Sequence, residues 1–273
     1  MNMRHALVSA TFLAALAAPD GAVRAQQSID VTEVLRQARR YSYQAREGHY
    51  EVAPAAVALL EDATGKRPDS AALWTAMSTA YFLEATLAGQ PGRNPVDAFP
   101  AIAKASRAAE RALALEPDNP EALSSYGAAL TIRALIERKP DLVSEGVAKM
   151  DRAVTLAPAM TVPRLSRAFF GVNLPPMVRN ADVVADDLTR LQRLAEGTRA
   201  GDMLHILLGD LYAETGRQDD ARREYERAAA AGSKATDTAR ARLAALEQGS
   251  IPAAEIGALR GNLGTGCVMC HAR

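Results

Sequence analysis

Residues 205–230 read HILLGDLYAETGRQDDARREYERAAA. Large residues at His205, Leu208 and Tyr212 share one face of a helix, and beyond Gly216 the residues Ala221, Tyr225 and Ala228 share one face of a second. The spacing predicts two helices joined by a short turn. Large residues early in the first helix fill the gap to the second, while small ones such as Gly209 and Ala221 let the two cross closely.

The scheme recurs upstream. Ala63, Ala112 and Ala153 are each followed five residues later by a helix-ending proline, Pro68, Pro117 and Pro158, the last two within the similar strings ALALEP and AVTLAP. After Pro68 come Trp74, Met77, Ser78 and Tyr81, with Ala105, Ala109 and Ala112 in a second helix. After Pro117 come Leu123, Tyr126, Gly127 and Leu130, then Gly146, Met150 and Ala153. In these positions the chain resembles the tetratricopeptide-repeat family over most of residues 30–232. The resemblance implies an all-α helical solenoid that docks other proteins, and it implies no catalysis.

The spacing departs from the family. Pro68 to Pro117 and Pro117 to Pro158 both exceed the usual period of about 34 residues. Insertions are expected around Gly89–Pro95 and near Arg138-Lys139-Pro140. A further pair, roughly 161–172 and 180–197, matches poorly. The expected organisation is about five helix pairs over residues 26–248, ending in a capping helix from about Thr236 to Gln248, then a glycine-rich tail, 249–273.

Lysine plus arginine and aspartate plus glutamate both number 32, so no long-range field of one sign recruits nucleic acid. Aromatics make up only 5% and alanine is abundant, which suits closely packed helices. The N-terminus carries Arg4 and His5, an apolar run from Ala6 to Ala18, and a small-residue site at Val23-Arg24-Ala25. That order is a secretory signal peptide over residues 1–25, with Gln26 the mature N-terminus and a periplasmic location. The apolar run is too short to span a membrane, and no cysteine lies near residue 25 to take a lipid anchor.

The two cysteines, Cys267 and Cys270, stand in Gly266-Cys267-Val268-Met269-Cys270-His271, which contains the C-x-x-C-H signature of c-type haem attachment. Two thiols at this spacing add to the haem vinyl groups, and the adjacent histidine lies under the ring to ligate iron. A redox dithiol or a zinc or copper site are the other chemistries open to the tail; zinc would need further ligands such as His49, His205 or distant carboxylates. In this motif the tail resembles c-type cytochromes, which implies one covalent haem c on Cys267 and Cys270 with His271 as proximal ligand. Common cytochromes place the motif early and wrap the following chain around the haem, whereas only Ala272 and Arg273 follow here. Cytochromes of the c-prime type carry it on a last helix, but glycines precede Cys267.

Sixth-ligand candidates are Met177, beside Pro175 and Pro176, and His205, whose repeat position gives it a packing role instead. His49 sits in a predicted turn, Met77 and Met150 occupy repeat core positions, and Arg273 could pair with a propionate. The chain lacks G-x-S-x-G, H-E-x-x-H and phosphate-loop motifs, so the expectation is an electron carrier or adaptor rather than a catalyst. The expected partner is a protein such as a periplasmic redox enzyme or cytochrome. The competing expectations are a plain interaction scaffold with a metal-binding or dithiol tail, and a five-coordinate haem sensor.

Overall fold

Three helices stop at the residue before a proline, and they stop in the same way. In the computed structural model, which describes residues 29–46, 49–88, 95–174, 176–232 and 235–249, Arg67, Glu116 and Ala157 take φ of −129°, −133° and −135°. The ring of the following proline forces each out of the helical region. Each still donates its N–H to the alanine four residues back, Ala63, Ala112 and Ala153, at 2.9, 2.8 and 3.1 Å, so the last turn is closed before the chain leaves.

The helices so bounded are α1 (Val31–Arg46), α2 (Ala53–Lys66), α3 (Ala71–Ala88), α4 (Ala98–Leu115), α5 (Pro120–Glu137) and α6 (Asp141–Leu156). They continue as α7 (Thr161–Asn173), α8 (Ala181–Leu194), α9 (Arg199–Glu214), α10 (Gln218–Ala230) and α11 (Ala235–Glu247). No strand occurs among the described residues. Helices pack in sequence as five pairs, and α11 closes the array against α9 and α10. This is the all-α solenoid that the repeats predict, with the capping helix within a residue of its expected ends.

Side-chain caps start several helices: Asn119 Oδ1 accepts from the Ala122 N–H at 3.0 Å, Asn180 Oδ1 from Val183 at 3.2 Å, and Thr198 Oγ1 from Gly201 at 3.3 Å. The second insertion is absorbed partly as helix. α5 and α6 run 18 and 16 residues where α9 and α10 run 16 and 13, and Arg138 turns the chain at φ 53°. The irregular second helix ends at Leu194 rather than 197, because the chain turns through Gly197 at φ 74°.

The small residues of the repeats mark where helices cross. A Cβ on Gly127 would lie 2.5 Å from the Gly146 carbonyl oxygen, and one on Gly146 would lie 2.6 Å from that of Gly127. In the preceding pair the equivalent residues are bonded, Ser78 Oγ donating to the Ala105 carbonyl at 2.9 Å. In the last regular pair Gly209 makes room for the Tyr225 ring, 2.5 Å from where a Cβ would stand. Met77 and Met150 are buried, as their repeat positions predict.

The pair α7/α8 adds a buried ion cluster to its apolar core of Ala168, Val172, Val184 and Leu188. Arg164 and Arg167 both bind Asp187, whose side chain is fully buried, and Arg167 also reaches Asp151 at 2.9 Å. Arg164 keeps one repeat feature: its Nη2 donates to the Pro158 carbonyl at 3.0 Å, as Trp74 Nε1 donates to that of Pro68 at 3.0 Å. At the far end Arg242 of α11, 1% exposed, pairs with Asp210 of α9 at 2.8 Å, and Tyr225 Oη donates to the same carboxylate at 2.8 Å. That buried contact bolts the cap to the last pair.

Candidate functional site

The first helices of successive pairs line a cleft of about 1070 Å³, walled by α1 on one side and by the starts of α5 and α7 on the other. Its origin lies in how α1 is patterned. Val34, Leu35 and Ala38 turn toward α2 and α3 and join the core around Leu60, Leu73 and Met77. Arg36, Arg39, Arg40 and Tyr43, at i, i+3, i+4 and i+7, consequently share the stripe that faces the cleft. The floor is α3, where Ala72 and Ala76 leave room between Thr75 and Thr79.

Three arginines and one glutamate, Glu121, line this cleft, in a chain whose charges balance overall. Arg36 donates Nε–H to Glu33 Oε2 at 2.7 Å. Arg39 and Arg40 are exposed and form no ion pair among the described residues. The arginine stripe was legible only as a helical spacing in α1, because that helix lies ahead of the proline-marked repeats and carries none of their signature residues.

Cys267, Cys270 and His271, with Arg273, lie outside the described residues, as do the expected signal peptide, most of the first insertion and the glycine-rich tail beyond Gly249. Met177 lies between α7 and α8 and is 87% exposed, its thioether open to solvent. His205 is committed to its neighbours. Its Nδ1 donates to Glu224 Oε2 at 2.6 Å, and Gln192 Nε2 lies against both ring nitrogens and donates to the same Glu224 oxygen at 3.2 Å. Burial pushes the Glu224 carboxyl up, but the His205 bond, with the Arg227 charge and the Gln192 bond, outweighs it and holds the group below its ordinary value. His205, Gln192 and Glu224 thus tie α8, α9 and α10 together.

His49 is largely exposed beside Glu51, 3.1 Å away. Near α3, burial and a 3.0 Å hydrogen bond donated to Glu61 push the Tyr81 hydroxyl up to about 12. Bonds from Arg133 and then Lys139 pull the Glu137 carboxyl at the end of α5 down to about 2. Among the described residues no three histidine, cysteine or acidic side chains are grouped to hold a metal ion, and no helix is long and apolar enough to cross a membrane.

Paired helices, proline-ended second helices, close crossings at small residues and a cleft along the first helices define a solenoid of the tetratricopeptide type. The chain is similar in structure to TTC0263, a thermophilic tetratricopeptide-repeat protein of Thermus thermophilus, with 19% identity and a TM-score of 0.52 over 78% of this chain and 97% of that one. It is also similar to PilF of Pseudomonas aeruginosa, at 19% identity and a TM-score of 0.50 over 84% and 93% of the two chains. At this identity the likeness shows the fold. No protein-family model matches the chain, and a search of curated proteins finds no significant match.

Proposed function

We propose that the chain is an exported c-type haem protein, periplasmic once residues 1–25 are removed, whose solenoid docks a partner protein while a tethered haem exchanges single electrons with it. The observation that carries this reading is Cys267-Val268-Met269-Cys270-His271, which holds both of the cysteines in the sequence, on a chain that opens like an export signal. The haem supplies a one-electron couple when bound. Cys267 and Cys270 would hold it by thioethers, and His271 would ligate its iron.

Met177, with its thioether exposed on the solenoid, is the candidate that could supply a further ligand. His205 already bonds Glu224 through Nδ1 and has the Gln192 amide against its ring, so it would first have to leave that cluster. The docking role rests on the cleft of about 1070 Å³, lined mainly by the first helices of four successive pairs. The partner is a redox enzyme or cytochrome of the same compartment, and the protein acts as carrier or adaptor rather than catalyst.

The test is a reduced-minus-oxidised visible spectrum of protein made with cytochrome c maturation machinery, beside a denaturing gel stained for haem and a Cys267→Ala/Cys270→Ala control. A covalent haem band that the control lacks supports the reading. A colourless wild-type protein overturns it and leaves a docking scaffold with a dithiol or metal-binding tail. A haem that binds carbon monoxide rapidly when reduced and shows no sixth protein ligand points to gas sensing instead of electron transfer.

A further inference from the structure

We propose that the cleft is built for an acidic amphipathic segment of a partner protein, whose carboxylates pair with Arg36, Arg39 and Arg40 while its apolar side chains seat over the α3 floor at Ala72 and Ala76. The inference rests on the docking reading above and names the partner's chemistry.

Charge comes first. The chain as a whole is neutral, yet the cleft concentrates three arginines against a single glutamate. Like charges at i, i+3 and i+4 on one helix repel each other, and only Arg36 has an internal counter-ion, Glu33. Arg39 and Arg40 have none among the described residues. Guanidinium forks match carboxylates in bidentate geometry, so acidic side chains laid along α1 remove the repulsion and gain charge-assisted hydrogen bonds.

Shape comes next. Ala72 and Ala76 lie one helical turn apart on the cleft floor, and their small side chains leave holes flanked by Thr75 and Thr79. On the far wall Val162 is exposed and Met160 is half-buried, so apolar surface faces the arginine stripe across the cleft. A segment that is apolar on one face and acidic along one edge satisfies both walls. A nucleic-acid strand fits less well, because among its lining residues the cleft has a single aromatic ring, Tyr43, for base stacking and carries Glu121, which repels phosphates.

The experiment is fluorescence anisotropy with the full chain and three fluorescein-labelled probes: an amphipathic peptide with leucines at i, i+3, i+4 and i+7 and glutamates elsewhere, its lysine-for-glutamate twin, and a single-stranded oligo-dT. Two variants accompany it. Arg39→Glu/Arg40→Glu reverses exposed charge, Ala72→Trp fills the cleft from an exposed position, and circular dichroism checks that both keep wild-type helicity. The proposal expects saturable binding of the glutamate peptide that weakens with salt, and a Kd raised about tenfold or more by either variant and by the lysine exchange. Equal binding of the lysine twin overturns the acidic preference while leaving docking intact. No binding of either peptide overturns both readings, and preferential binding of oligo-dT assigns the stripe to nucleic acid.

Discussion

Replacing Gly127 by alanine should destabilise the solenoid, although alanine is the better helix former. The added Cβ would stand 2.5 Å from the Gly146 carbonyl oxygen and 2.8 Å from Met150 Cγ. The first of these is backbone in a packed helix and cannot swing aside, so the strain belongs at the upper end of the overpacking range, about 3 kcal/mol. Against it stands the helix-propensity gain of Gly to Ala, about 1 kcal/mol. The net loss is about 2 kcal/mol, or a melting temperature lowered by about 4–8 °C for a chain of this size. Gly65, on α2, has nothing within 4 Å of its Cβ position. There only the propensity term survives, so Gly65→Ala should raise the melting temperature by about 1–4 °C. Differential scanning calorimetry of the two variants and wild type reads both signs in one series. A Gly127→Ala protein melting at or above wild type would refute the close crossing of α5 and α6, and with it the repeat register that places Gly127 opposite Gly146.

Arg242→Ala strands the buried Asp210 carboxylate and should cost about 3–5 kcal/mol in urea denaturation, while Arg152→Ala, which breaks the exposed pair with Asp118, should cost about 1 kcal/mol or less. Equal losses would show that the cap is not held by the buried pair. Glu224 contributes stability above the ordinary carboxyl range and loses it as pH falls through its depressed folded value. The melting-temperature advantage of wild type over Glu224→Gln should therefore be present near pH 5 and shrink toward about pH 3. An advantage that grew from pH 5 to about pH 3 would contradict the His205–Glu224 contact.

The fold was legible where packing residues follow the repeat. Trp74, Leu123 and His205, the alanines ahead of Pro68, Pro117 and Pro158, and the glycines at 127, 146 and 209 are dictated by helix ends and close crossings, and each repeats at a readable offset. The pair α7/α8 was hard to read because, beside apolar residues such as Ala168 and Leu188, its inward positions include Arg164, Arg167 and Asp187, which in sequence look like a solvated face and in three dimensions form a buried ion cluster. Charge periodicity carries no sign of whether its partner lies across a core or in water. The cleft was less legible still. Arg39, Val162 and Met160 come together only when α1 and α7 are placed across α3 and α5, a juxtaposition of residues more than a hundred positions apart. The haem reading, by contrast, is local: it depends on five consecutive residues and needs no fold to be seen.

Export and covalent haem attachment make one joint claim that an intact mass can test. Protein recovered from the periplasmic fraction of cells carrying the maturation machinery would be measured under denaturing conditions by electrospray mass spectrometry. The account predicts a single species with the mass of residues 26–273 plus one haem. A species with the mass of the unmodified polypeptide, processed or not, would contradict it.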